Sequence, residues 1–175
     1  MADRSTTTSS ELTDEQKIDP ISILTNDHNQ VKALFKEFAR LHEADDAEGA
    51  GQVAEQICHE LTVHATIEEE IFYPAVRRAI DDNDLMNEAE IEHASTNDLV
   101  EQIESMQSSD ERYAAAVTVL GEYVDHHIKE EQEEMFPLAR HANLDSQALS
   151  EEMLTRKQEL KVELGMEEGE EETSK

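Results

Sequence analysis

The chain has 175 residues, of which 43 are acidic and 14 basic, for a formal charge of −29. That length supports one domain with a core of its own. Such a charge repels phosphate and anionic lipid, so neither nucleic acid nor a membrane surface is an expected partner. The single cysteine, Cys58, can form no internal disulfide and reads as a small core hydrophobe. The first residues, MADRSTTTSS, lack the apolar stretch of a secretion signal, and no run is long and apolar enough to span a bilayer. A cytoplasmic setting is the expectation.

Residues 1–17 are Ser/Thr-rich and charged, and are expected to be a disordered tail. Asp19-Pro20 then supplies an N-cap and a first-turn proline for a helix over about 20–44, with Ile21, Leu24, His28, Val31 and Phe38 on one stripe. The glycines and acids of 45–51 predict a loop. A second helix over 52–80 carries Val53, Ile57, Leu61, His64, Glu68 and Ile71 inward, leaves His59 and Glu60 exposed, and meets a proline at Pro74. After the acidic stop at 81–84, a third helix over 85–106 faces Ala89, His93, Thr96 and Ile103 inward. A fourth, over 111–141, does so with Leu120, Val124, His127, Glu131, Met135 and Leu138. The aromatic residues Phe35, Phe38, Phe72, Tyr73 and Phe136 read as core. A shorter amphipathic piece over 146–160 precedes an acidic tail expected to lack structure. The pattern contains no strand. It predicts an all-α protein: an antiparallel up-down-up-down four-helix bundle over 18–142, with a short additional C-terminal helix within 143–160.

The informative spacing is His64-x-x-x-Glu68, repeated at His127-x-x-x-Glu131. Four residues on a helix put an imidazole and a carboxylate on one face, about 6 Å apart along the axis. A shift of 63 positions superposes these pairs together with Pro74 on Pro137, Arg77 on Arg140 and Ala79 on Ala142; a shift of 65 lays His28 on His93. A lone histidine followed by His-x-x-x-Glu thus occurs twice, as a duplicated helical hairpin would give. Histidines alone on apolar faces are ordinarily packed side chains. Glutamates are not, because an ionised carboxylate in a core costs several kcal/mol without a cation. The drawn stripes hold no Lys or Arg, which leaves metal bound by the histidines as the expected counter-charge. Imidazole and carboxylate without thiolate suit iron first, with manganese or zinc behind it.

The order His28, His64-x-x-x-Glu68, His93, His127-x-x-x-Glu131, with the flanking words DHNQVKALF, EEEIFYPAVR and HHIKEEQEEMFPLAR, resembles the hemerythrin-type HHE cation-binding domain over roughly 20–141. The resemblance implies two iron ions in an oxo- or hydroxo-bridged pair. His28 and His64 would hold one iron, His93 and His127 the other, and Glu68 and Glu131 would bridge. Oxygen-carrying hemerythrins have a further histidine four residues before the one matching His93, where this chain has Ala89. Glu90, three residues before His93, is the candidate replacement, with water or Tyr123 as alternatives. Those proteins also place their second bridging acid, an aspartate, five residues after its histidine. His126 also precedes a glutamate by four, but the 63-residue shift favours His127, which places His126 at the surface or behind the ligands.

The expected function is therefore binding or sensing of oxygen or a related small gaseous or peroxide ligand at a di-iron site. An enzyme consuming peroxide or nitric oxide is the alternative, and an iron-responsive interaction module a third reading. The departure at Ala89 weakens reversible oxygen carriage and favours an open, reactive position.

Overall fold

Asp19 accepts a hydrogen bond from the Ser22 amide at 3.0 Å, and Pro20 stands in the first turn, where its missing N–H costs nothing. From that cap the first helix, α1 (Pro20–Glu43), runs to a tight turn closed by Asp45 at φ +57°. The structure, a computed structural model, describes residues 18–144 and 146–166. The expected N-terminal tail over 1–17 and residues 167–175 of the acidic tail lie outside the described residues.

The loop expected over 45–51 is shorter than its glycines suggested. Asp46 caps the Gly49 amide at 2.9 Å, so α2 (Ala47–Ile67) begins there and takes both glycines into its first turns. Beyond Ile67 the rod continues through one π-helical turn, Glu68–Phe72, into α3 (Tyr73–Ala79). Asp82 caps α4 (Asn83–Glu104). The fourth rod repeats the second: α5 (Tyr113–Glu130), a π-helical turn over Glu131–Met135, and α6 (Phe136–His141). After a second left-handed residue, Asn143 at φ +56°, α7 (Gln147–Glu163) runs three residues past its expected end at Leu160.

The two π turns have one cause. Pro74 and Pro137 have no N–H for the carbonyl four residues back, and their rings crowd it. Widening the preceding turn relieves the crowding, and the bonds become Tyr73 N–H to Glu68 O and Phe136 N–H to Glu131 O, five residues apart.

The four rods are antiparallel around the bundle in the order α1, α2–α3, α4, α5–α6, as expected, and α7 crosses α1 and α2 on one side. At Gly121 the missing side chain lets Phe35 lie close: an added Cβ would stand 3.1 Å from Phe35 Cδ1. The core divides in two. One apolar cluster, including Ile21, Leu24, Ile67, Phe72, Met86 and Met135, extends under α7 to Met153. The other, including Val31, Ile57, Val100, Leu120 and Val124, fills the opposite end. Between them lies the layer of buried histidines and glutamates. Three exposure assignments fail: Leu138, expected inward, is 38% exposed, whereas Glu60, expected exposed, is buried and His59 beside it half-buried. Glu60 is accommodated by a hydrogen bond from Gln30 at 2.7 Å and by Lys161 of α7 at 3.7 Å, partners that only tertiary packing supplies.

Candidate metal centre

Four rods deliver one histidine each: His28 from α1, His64 from α2, His93 from α4 and His127 from α5, all buried. Their Nε2 atoms pair at short range, His28 with His64 at 3.1 Å and His93 with His127 at 2.9 Å. The two glutamates lie between the pairs. Glu68 Oε2 stands 3.2 Å from His64 Nε2 and 3.3 Å from His93 Nε2; Glu131 Oε2 stands 3.2 Å from His28 Nε2 and 3.5 Å from His127 Nε2. Each carboxylate therefore touches one histidine of each pair, the position of a bridge between two centres. Glu68 is 0% exposed and Glu131 1%, and among the described residues neither pairs with a lysine or arginine.

Every Nδ1 atom, on the far side of its ring, meets a polar group from a neighbouring rod. Asp27 of α1 faces His64 at 3.5 Å, Glu69 of the first π turn meets His93 at 2.9 Å, Glu92 of α4 meets His127 at 2.7 Å, and the Gln132 amide of the second π turn lies 3.3 Å from His28. The supports thus run α1 to α2, α2 to α4, α4 to α5 and α5 back to α1, a closed ring around the bundle. All four rings turn Nε2 inward, and at His93 and His127 a carboxylate accepts from Nδ1, the usual arrangement behind a metal-binding imidazole. Asp27 is itself held by Lys157 of α7. Sequence reasoning missed these supports because single polar residues beside a stripe read as solvated. The repeat contained the signal: Asp27 and Glu92 superpose under the shift of 65, Glu69 and Gln132 under the shift of 63.

Tyr73 is a second miss. In an α-helix its side chain would turn away from Glu68, but the π turn stacks residues five apart. Its ring is buried beside His93, with centroids 5.1 Å apart, and its hydroxyl donates to Glu131 Oε1 at 2.8 Å, lying 3.0 Å from His93 Nε2 and 3.3 Å from His127 Nε2. The repeat places Phe136 opposite it, stacked on His28 at 5.7 Å. So the half-site lacking a histidine at Ala89 carries a hydroxyl, and the other half-site carries a plain ring. Glu90, the expected replacement, does not reach the cluster: it points outward to Arg77 at 2.7 Å. Tyr123 is also outside, 52% exposed. His126 lies at the surface beside Glu130, as expected.

The electrostatics of the cluster follow from crowding. Burial alone would lower the His93 pKa, but the adjoining Glu68 and Glu69 carboxylates and the charge of Glu131 outweigh it and raise it to about 10. His64 is raised in the same way, by Glu68 and Asp27 against burial. Burial would raise Glu131, yet the His127 and His28 imidazoles hold it well below the usual carboxylate range. Burial and the same two glutamates push the Tyr73 phenol well above its ordinary value, so it keeps its proton. Beside the histidines is a small apolar cavity of about 20 Å³, walled by Val31, Leu61, Val124 and Ile128, with room for about one water-sized molecule.

A helical bundle with imidazoles and carboxylates converging in a dry interior defines a cation-binding bundle protein. The chain belongs to the hemerythrin HHE cation-binding domain family, which it matches over residues 19–139. The crystal structure of a hemerythrin HHE cation-binding domain-containing protein from Mycobacterium kansasii superposes with a TM-score of 0.68 over 83% of this chain and 89% of that one, at 19% identity, a likeness of fold. A DNA nickase of Nostoc sp. is 31% identical over 134 residues, 77% of this chain; the match spans only 37% of that relative's length.

Proposed function

We propose that the chain holds two iron ions between its histidine pairs and binds oxygen or a related small oxidant there. The observation that carries this reading is the bridging position of Glu68 and Glu131. Glu68 is fully buried, with the His64 and His93 rings at 3.2 and 3.3 Å and no hydrogen bond to either oxygen among the described residues, so its lone pairs are open to a cation. The donor set, four imidazoles and two carboxylates without sulfur, fits iron ahead of zinc, whose structural sites close at four ligands. His28 and His64 would hold one ion and His93 and His127 the other, with both glutamates shared. A bridged iron pair would supply redox capacity and open positions for a small ligand.

The protein's own residues set the conditions. Glu69 and Glu92, accepting from Nδ1 of His93 and His127, fix the tautomer that leaves Nε2 of those two rings free for a metal. Val31, Leu61, Val124 and Ile128 keep the cavity dry and limit its occupant to a few atoms. Tyr73 keeps a proton at its hydroxyl on the His93/His127 side alone, within reach of Glu131.

That asymmetry favours a second reading within the same site, turnover of peroxide, because a proton donor on one side suits cleavage of an O–O bond more than reversible carriage. DNA nicking is not carried over: a net charge of −29 opposes a phosphate backbone, and most of the nickase lies outside the match.

Metal analysis and an absorption spectrum of aerobically purified protein test the reading. Two irons per chain and a band that vanishes on deoxygenation support a binder; oxygen evolved from peroxide over many turnovers supports the enzyme. Less than two bound irons after reconstitution with ferrous ion would refute the di-iron assignment.

A further inference from the structure

The word His126-His127-Ile128-Lys129-Glu130-Glu131 contains two His-x-x-x-Glu pairs in adjacent registers, and only one belongs to the buried centre. The other, His126 with Glu130, lies on the outer face of α5, with the His126 ring 62% exposed and its Nε2 3.2 Å from Glu130 Oε1. A third group joins them. Glu92 of α4 turns one oxygen to His126 Nε2 at 3.5 Å and the other to His127 Nδ1 at 2.7 Å. Ligand atoms of Glu92, His126 and Glu130 all lie within 4.8 Å of one another.

Two observations separate this cluster from an ordinary solvated face. First, the internal repeat does not require it. The shift of 63 sets Val63 and Ile67 against His126 and Glu130, and both are buried apolar residues in the core cluster beneath α7. Of the three positions, only Glu92 has a polar counterpart in the first half, Asp27. Second, Glu92 and Glu130 hold two carboxylates close together, and among the described residues neither pairs with a lysine or arginine. Like charges so placed repel unless a proton or a cation lies between them.

We propose that Glu92, His126 and Glu130 form a third site, for one divalent transition-metal cation, which holds incoming metal at the surface one carboxylate away from His127. One imidazole and two carboxylates, with the remaining positions open to water, suit ferrous, manganous or zinc ion. The excess negative charge of the chain draws cations to such a surface. Glu92 connects it to the interior, because the same carboxylate touches the outer histidine and the inner one. The loading role rests on the buried-centre reading; the surface site does not.

Manganous ion is the probe. Full-length protein carrying its iron is titrated with Mn²⁺ at physiological ionic strength, with free Mn²⁺ read by electron paramagnetic resonance. The wild-type chain should take up one Mn²⁺ that His126→Ala and Glu130→Gln bind about tenfold or more weakly, with iron content unchanged in both. Equal Mn²⁺ binding by wild type and His126→Ala overturns the site. Ferrous ion is then mixed with metal-free protein: His126→Ala should load several-fold more slowly to the same final content, and an equal rate overturns the loading role. If the wild-type chain holds fewer than two irons, the buried-centre reading fails, while the Mn²⁺ difference still decides the surface site.

Discussion

The Tyr73 hydroxyl donates to Glu131 across the bundle at 2.8 Å, tying the second rod to the fourth inside the cluster. Its counterpart in the repeat, Phe136, has no such group. A hydrogen bond to a buried charged acceptor contributes about 1.5–3 kcal/mol. Tyr73→Phe should cost roughly that in metal-free protein, read by chemical denaturation with chelator present. Iron content should stay near the wild-type value while the visible spectrum and peroxide turnover change; an unaltered spectrum and rate would remove Tyr73 from the chemistry.

The four histidines are not equivalent to the exposed ones. His64→Ala or Glu68→Ala should lower bound iron below two per chain, because Glu68 touches one histidine of each pair. Full occupancy in either variant, by elemental analysis, would mean that the ligands lie elsewhere. His59→Ala, outside the cluster, should leave the count unchanged.

Lys157 reaches from α7 to buried Asp27, which faces His64. Removing one partner of a buried pair leaves the other uncompensated, at a cost of about 3 kcal/mol. Lys157→Ala should therefore destabilise the fold by about that much. It should also weaken iron binding by roughly 10–100-fold, the usual loss when an outer support is disturbed. Destabilisation with unchanged iron affinity would limit α7 to a packing role.

Protonation gives the metal-free and metal-loaded proteins opposite responses to alkali. In the metal-free cluster the His93 pKa is raised to about 10. Its stabilising contribution is thus complete below about 6.5, the ordinary imidazole value, and is lost as pH rises towards 10. Metal binding requires neutral imidazoles, so affinity grows over the same interval. The gap in Tm between loaded and chelated protein should widen from pH 6.5 to 9. A gap that narrows would show that His93 is not a ligand.

How much of this was readable from the residues alone follows from what periodicity can encode. The histidine and glutamate positions share the stripe of Leu24, Leu61 and Val124, so a period of 3.6 finds them together with the core. Tyr73 escaped because a π turn resets that period at a proline, which the pattern registers only as a break. Asp27, Glu69 and Glu92 escaped for another reason: one step off a stripe, a carboxylate reads as solvated until the neighbouring rod is in place. Glu90 failed in the opposite sense. Its spacing to His93 suited a ligand, but Arg77 was free to claim it at the surface.

The circuit of supports bears on how a duplicated hairpin works. Asp27 and Glu92 serve histidines within their own halves, whereas Glu69 and Gln132 serve the other half. Either hairpin taken alone would lack half of its braces, so neither half of the cluster is complete until the two hairpins pack together.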